Sequence, residues 1–194
     1  MNSGMLQALV KDTVLEPAKA ARQVLDFEVA PKAVWLGLVL IVVLNGLFYG
    51  SLLPHAGGPL MPAAIVESPL RLTGAVGAML FVTIYLLMFG GRLFGGAASL
   101  LDMAQIMVWL QGLRLILQLV VLVLSLAVPL LGWLLSAVAG LWGIWVLVNF
   151  IAVAHRFEAL KAVATLVLAF VVMIVGLSVL IATVSGVPPQ AGEI

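Results

Sequence analysis

The chain has 194 residues, of which 64% are apolar and only 9% are charged. A soluble domain averages about 45–50% apolar and about 25% charged residues, and a fold of this size has too little interior to hide the excess. The composition therefore excludes a soluble enzyme, a disordered chain and a nucleic-acid-binding protein. It predicts an all-α integral membrane protein.

The net charge and the absence of cysteine exclude further kinds of partner and site. Nine Lys and Arg against eight Asp and Glu leave a net charge of +1, which creates no strong field for nucleic acid. Without cysteine the chain has no disulfides, no thiolate nucleophile and no cysteine-based metal site. We expect no cofactor.

The first predicted element is a cytoplasmic amphipathic arm, residues 1–32, in which residues 3–27 form two short helices broken near Pro17. Apolar residues recur there at helical spacing, and the charged residues lie largely on other faces. Such helices lie in the headgroup region of a bilayer, so we expect an interfacial anchor that packs beside the first span. The alternative is a docking helix for a cytosolic partner.

Residues 33–194 are predicted to form a five-span domain, because five stretches are long and apolar enough to cross about 30 Å of hydrocarbon. The predicted spans are residues 33–53, 70–90, 104–127, 130–154 and 159–185. The segment 54–68 between the first two spans is rich in Pro and Gly and is predicted to be irregular.

Charge placement predicts the orientation of these spans. An odd number of spans puts the termini on opposite sides of the membrane, and seven basic residues then share one side with the N-terminus, against Arg71 on the other. The seven are Lys11, Lys19, Arg22, Lys32, Arg92, Arg156 and Lys161. By the positive-inside rule the N-terminus is cytoplasmic and the C-terminus lies outside. We expect a bacterial inner (plasma) membrane location.

Arg114 is the most unusual residue, because it is predicted to lie near the middle of the third span. An arginine there costs at least about 2.5 kcal/mol on insertion scales, so it should face the bundle interior or water. Gln111 and Gln118 share its helix face. Other spans offer three more polar side chains, Asn45, Tyr49 and Asn149. The group is either a site for a substrate, ion or lipid headgroup, or a structural hydrogen-bond network.

The segment 90–99 carries the clearest loop signal, with the glycine pairs Gly90-Gly91 and Gly95-Gly96 around Arg92. Glycine permits a compact turn, and the same backbone could cradle a phosphate headgroup beside Arg92. Ser99 and Asp102 match a capping box at the start of the third span.

His155 and Glu158 lie three residues apart at the predicted turn after the fourth span. Two ligands at a turn are a weak metal signal, so we expect capping and a surface ion pair there.

Five stretches of the chain resemble the Yip family, five-span membrane proteins named for their interaction with Rab-type GTPases. They are residues 13–22 (TVLEPAKAAR), 31–36 (PKAVWL), 90–109 (GGRLFGGAASLLDMAQIMVW), 142–155 (WGIWVLVNFIAVAH) and 159–162 (ALKA). Eukaryotic members act in vesicle traffic and carry a hydrophilic tail with an Asp-Leu-Tyr-Gly-Pro-type motif. This sequence resembles bacterial members of the family, and it lacks both that tail and that motif. The resemblance implies topology and no catalytic residue.

Two functions remain open from the sequence. The first is a non-enzymatic scaffold, adaptor or membrane-organising protein, whose partners are the lipid bilayer and a cytosolic or membrane protein, with an oligomer left open. The second is a small transporter or lipid-binding protein that uses the polar group around Arg114. No acidic residue lies inside any predicted span, which favours the first function.

Overall fold

The described part of the chain is entirely α-helical apart from short connections. The structure, a computed structural model, describes the backbone of residues 3–52 and 68–185, and the side chains of residues 3–50 and 68–179. The helices in these ranges are α1 (Ser3–Leu15), α2 (Pro17–Asp26), α3 (Pro31–Leu52), α4 (Pro69–Leu93), α5 (Leu100–Ala127), α6 (Pro129–His155) and α7 (Ala159–Ser185). The predicted irregular segment lies outside the described residues, except for Ser68.

Five of these helices, α3 to α7, are long and apolar enough to cross a membrane. The prediction of five spans is confirmed, although the ends differ by a few residues. The helices α5 and α6 contain 28 and 27 residues. They are therefore about 40 Å long, which exceeds the hydrocarbon thickness. Their ends reach the headgroup level on both sides.

The helix starts follow from local sequence. Pro31, Pro69 and Pro129 each occupy the first turn of a helix, where the missing N–H costs nothing. Ser68 accepts a hydrogen bond from the Arg71 N–H at 3.4 Å. The predicted capping box is confirmed: the Asp102 N–H donates to Ser99 Oγ at 3.1 Å, and the Ser99 N–H donates to the Asp102 carboxylate at 2.8 Å. This box starts α5 four residues before the predicted span.

The buried residues of α5, α6 and α7 lie almost entirely in one half of the bundle. We call the end at which α4 ends and α5 begins the arm end, and the end at which α5 turns into α6 at Val128 the far end. The described buried residues of α5 all fall within residues 103–107, and those of α6 within 146–155 apart from Gly132. In α7 they are Ala162, Thr165 and Ala169. Towards the far end these helices present large apolar side chains to the lipid.

The arm helix α2 packs against α5 and α6 rather than beside α3, and α1 packs on α2, so the predicted place of the arm is wrong. Polar side chains of the spans explain its position. Gln105 donates to the carbonyl oxygens of Val24 and Phe27, and the Trp142 indole N–H donates to the Val14 carbonyl at 3.0 Å.

A further hydrogen bond joins the Trp109 indole N–H to Thr13 Oγ1 at 3.0 Å, and Thr13 donates in turn to the Leu9 carbonyl. Each of these bonds takes a backbone or hydroxyl group that would otherwise lie unpaired beside lipid. The arm therefore forms part of the folded bundle, while Ala20, Ala21 and Val24 of α2 are buried against it.

The arm helix α2 runs lengthwise along α6. Val14, just before α2, contacts Trp142, and the last turn of α2 lies near Arg156. Trp142 and Arg156 are about 21 Å apart along α6 at 1.5 Å per residue. The arm thus flanks the half of the bundle that contains the core. At the corner between α1 and α2, Lys19 pairs with Asp12 at 3.0 Å, and this hydrogen bond raises the pKa of Lys19 above its ordinary value.

Replacing Gln105 with Leu is expected to loosen the end of α2, because the change removes two hydrogen bonds to carbonyl groups of the arm. Hydrogen bonds of this kind contribute about 0.5–1.5 kcal/mol each, so amide exchange in residues 17–27 should accelerate about tenfold. Hydrogen–deuterium exchange with mass spectrometry measures this exchange rate. The matched control is Gln111→Leu on the same helix, which leaves the arm untouched. Equal exchange in Gln105→Leu and the native chain would contradict this account of the arm.

Candidate functional site

The imidazole of His155 joins three segments at the arm end. The ring is 1% exposed, Nε2 lies 3.1 Å from the Leu87 carbonyl oxygen of α4, and Nδ1 accepts from the Ala98 N–H at 3.4 Å. These contacts fit the neutral ring with its proton on Nε2. The His155 carbonyl also accepts from the Ala97 N–H at 3.2 Å. The last residue of α6 is therefore fixed to α4 and to the turn before α5.

Two glycines make room for this ring. A Cβ atom placed on Gly91 or on Gly96 would overlap the His155 imidazole. Gly91 is in the last turn of α4, and Gly96 follows it in the connection to α5. The glycine pairs of the segment 90–99 are thus needed for a close side-chain approach as well as for a turn.

The expectation that His155 forms a surface ion pair with Glu158 is wrong, because the ring points into the bundle and stacks on Phe157, with the ring centroids 5.1 Å apart. Sequence analysis missed this role. The spacing of Gly91 and Gly96 marked an unusual turn, but nothing local identified the distant side chain that fills it.

The remaining residues of the segment 90–99 hold the turn. Gly95 has a φ of 84°, the left-handed conformation predicted for a glycine in a compact turn. Arg92 Nε donates to the Ala98 carbonyl at 3.2 Å, and Gly90 faces Thr165 of α7. The contact of this segment with a lipid headgroup stays a prediction.

Arg114 lies 14 residues after the start of α5, about 21 Å from the arm end and near the middle of the helix. Its guanidinium Nη2 donates to the Tyr49 hydroxyl at 2.8 Å and to Asn45 Oδ1 at 3.4 Å. Gln118 donates to the same hydroxyl at 2.8 Å. The structure therefore brings Arg114 together with Gln118, Asn45 and Tyr49. Among the described residues, no carboxylate lies within 4 Å of this guanidinium.

Two acceptors beside Arg114 lack partners within the described ranges. Gln111 Oε1 and Gln118 Oε1 are buried and accept no hydrogen bond there. The arginine side chain itself is exposed on the flank of the bundle. The group thus combines one unneutralised cation with two free amide oxygens, and can bind water or a polar ligand.

Asn149 lies away from Arg114. It is six residues before the end of α6, where its amide donates to the Trp145 carbonyl at 2.8 Å. It lines a groove between α2 and the turn after α6, with Arg22 and Arg156. The predicted polar group therefore divides into two places, one at mid-membrane and one at the arm end. Among the described side chains, no three His, Asp or Glu come together to hold a metal ion.

These features define a polytopic α-helical membrane protein with five spans, a docked N-terminal arm and a turn held by a buried histidine. The model of one family, the Yip1 domain, matches residues 11–180. The chain belongs to the Yip1 domain family. No curated protein and no solved structure matches it.

Replacing Gly91 with Ala is expected to destabilise the protein by about 1–3 kcal/mol, the usual effect of overpacking, because the new methyl group displaces the His155 ring. The matched control is Gly143→Ala in α6, where a Cβ would meet nothing within 4 Å. That change should be neutral or slightly stabilising, since Ala favours helix over Gly. Unfolding of the purified protein in detergent, followed by circular dichroism, compares the two. Equal stability of both variants would show that His155 does not need this space.

Proposed function

We propose that this chain is a non-enzymatic membrane-organising scaffold that enlarges one leaflet of the bilayer. A single observation carries the proposal: α2 packs against α5 and α6 within one half of the bundle, and α1 packs on α2 and accepts hydrogen bonds from Trp109 and Trp142. Seven helices occupy that half, whereas five continue to the far end. The difference corresponds to about 40% more cross-section at 10–12 Å per helix.

A cross-section that differs between the two leaflets favours a curved bilayer, because lipid must fill the narrower half. The hydrogen bonds from Gln105, Trp109 and Trp142 support the proposal, since they hold the arm at a fixed depth. The turn fixed by His155 also supports the proposal, because this turn keeps the ends of α4, α5 and α6 in register. In this proposal the protein acts by shape, and no step of chemistry is required.

We place the arm end in the cytoplasm. The seven basic residues named for that side all lie in the arm or near the helix ends that meet there. Positive charge is retained on the cytoplasmic side during insertion. The enlarged leaflet is then the cytoplasmic leaflet, and the location that this orientation favours is a bacterial inner membrane.

Deleting residues 3–27 is expected to abolish membrane bending, because it removes the helices that widen the arm end. The full-length protein, inserted in one orientation as checked by protease protection, should convert large vesicles into smaller vesicles or tubules as the protein-to-lipid ratio rises. Electron microscopy measures the diameters. The shortened variant must retain its helical circular dichroism, which controls for folding of the five spans. Equal diameters with both proteins would contradict the proposal.

A second candidate function is a small transporter or lipid-binding protein that uses the group around Arg114. The favouring observation is that its cation and the amide oxygens of Gln111 and Gln118 have no neutralising partner among the described residues. A polar group inside a membrane that combines an exposed cation with buried, unpaired amide oxygens usually serves a substrate path or is completed by water.

The transporter function predicts that water reaches this group. The chain has no cysteine, so Gln111→Cys and Gln118→Cys each introduce a unique thiol. Both should react with a charged, membrane-impermeant thiol reagent in reconstituted vesicles. The control is Val123→Cys, which is exposed on the same helix and away from the polar group. No reaction at 111 and 118, with normal reaction after solubilisation, would exclude an aqueous path.

A further inference from the structure

A groove of about 570 Å³ lies between the arm helix α2 and the turn that joins α6 to α7. Its volume falls within the usual range of ligand pockets. Three charged side chains line it, Arg22, Asp26 and Arg156, together with the amide of Asn149 and apolar atoms of Phe157. Because helix ends of this length reach the headgroup level, the groove lies where lipid phosphates are found.

The charged groups of the groove are not paired. Arg22 and Asp26 stand four residues apart on α2, the spacing at which ion pairs form along a helix. Within the described residues, however, the only ion pairs join Lys19 to Asp12 and to Glu16. Arg22, Asp26 and Arg156 are therefore exposed along one groove, and none of them is paired with another described side chain.

The backbone at Arg156 gives an independent indication. Arg156 has φ 58° and ψ 40°, the left-handed conformation that ends a helix and that glycine or asparagine normally supplies. The turn is closed by the Phe157 N–H, which donates to the Ala152 carbonyl at 3.1 Å. Among the described residues Arg156 is the one non-glycine with a positive φ. The position thus ends α6 in the usual way but uses an arginine where glycine would be free of strain, and backbone strain of this kind is concentrated at functional sites.

We infer that this groove binds the headgroup of a glycerophospholipid that carries a primary amine. The phosphodiester lies between the guanidinium groups of Arg22 and Arg156, which bind phosphate oxygens in a bidentate manner. The ammonium group lies at the Asp26 carboxylate. Asn149 uses one N–H for the Trp145 carbonyl and has a second N–H for an ester carbonyl of the lipid.

The mixed charge of the lining selects among lipid classes. Two guanidinium groups and one carboxylate complement a zwitterion that has its phosphate and its amine a few atoms apart. A phosphatidylglycerol headgroup offers Asp26 hydroxyl donors but no cation, and a choline headgroup offers a cation that cannot donate a hydrogen bond to it. The inference rests on the groove and does not depend on membrane bending by the arm.

The experiment measures lipid binding to the full-length protein by native mass spectrometry in detergent. Phosphatidylethanolamine, phosphatidylcholine and phosphatidylglycerol with identical acyl chains are titrated separately. We expect phosphatidylethanolamine to bind about tenfold more tightly than the other two, and Asp26→Asn to remove this preference. Arg22→Gln and Arg156→Gly should each weaken binding about tenfold.

The choice of Arg156→Gly separates binding from folding. Glycine adopts φ 58° without strain, so this variant should unfold at the same temperature as the native chain or at a higher one while it loses the lipid. Lys11→Gln, elsewhere on the arm, is the control for loss of one positive charge and should bind normally.

Three results would overturn the inference. The first is normal phosphatidylethanolamine binding in both arginine variants. The second is an equal loss of phosphatidylethanolamine binding in Lys11→Gln, which would show that the arginine variants lose binding only because the net charge of the protein changes. The third is displacement of the lipid by equimolar glycerophosphoethanolamine, which would make the ligand a soluble phosphodiester rather than a membrane lipid.

Discussion

The imidazole of His155 fixes the arm end of this protein, because it joins α6 to α4 and to the turn before α5. Both ring nitrogens are used, one at the Leu87 carbonyl and one at the Ala98 N–H. The ring occupies the space left by Gly91 and Gly96, so it holds the end of α4 and the turn before α5 against the end of α6. The register of α5 then places Gln105 and Trp109, which hold the arm, and the arm supplies one wall of the groove beside Arg156.

The two polar regions differ in how their charge is balanced. At the corner of the arm, Lys19 pairs with Asp12 and with Glu16, so its positive charge is neutralised within the protein. At mid-membrane, Arg114 has a tyrosine hydroxyl and an amide oxygen but no carboxylate among the described residues. Arg114 also lies beyond the buried residues of α5, which all fall within residues 103–107. The most expensive polar group of the spans thus lies outside the buried part of its own helix.

Local properties of the sequence predicted most of the fold. Long apolar stretches defined the five spans, because crossing hydrocarbon requires a minimum helix length. The capping box of Ser99 and Asp102 could be predicted from their spacing, since both partners lie within one turn of the chain. The stripe of Gln111, Arg114 and Gln118 followed from helical periodicity in the same way, and the structure brings Gln118 and Arg114 to one hydroxyl group.

The parts that could not be predicted depend on which helices are neighbours. In a soluble protein the apolar face of a helix identifies its buried side, but lipid is as apolar as the core, so that signal is absent here. The burial of His155, the position of the arm on α5 and α6, and the separation of Asn149 from Arg114 all follow from helix neighbours. A polar residue in a span indicates that a partner exists without indicating which helix supplies it.

The position of His155 in the chain has a consequence for biosynthesis. The residues that receive its ring belong to α4 and to the turn before α5, whereas the ring itself is the last residue of α6. A ribosome therefore completes α3, α4 and α5, which ends at Ala127, about 28 residues before it adds the side chain of His155 that fixes them. During that interval the first three spans reside in the bilayer with the slot between Gly91 and Gly96 unfilled. The arrangement of the whole arm end is decided only when the fourth span has been inserted.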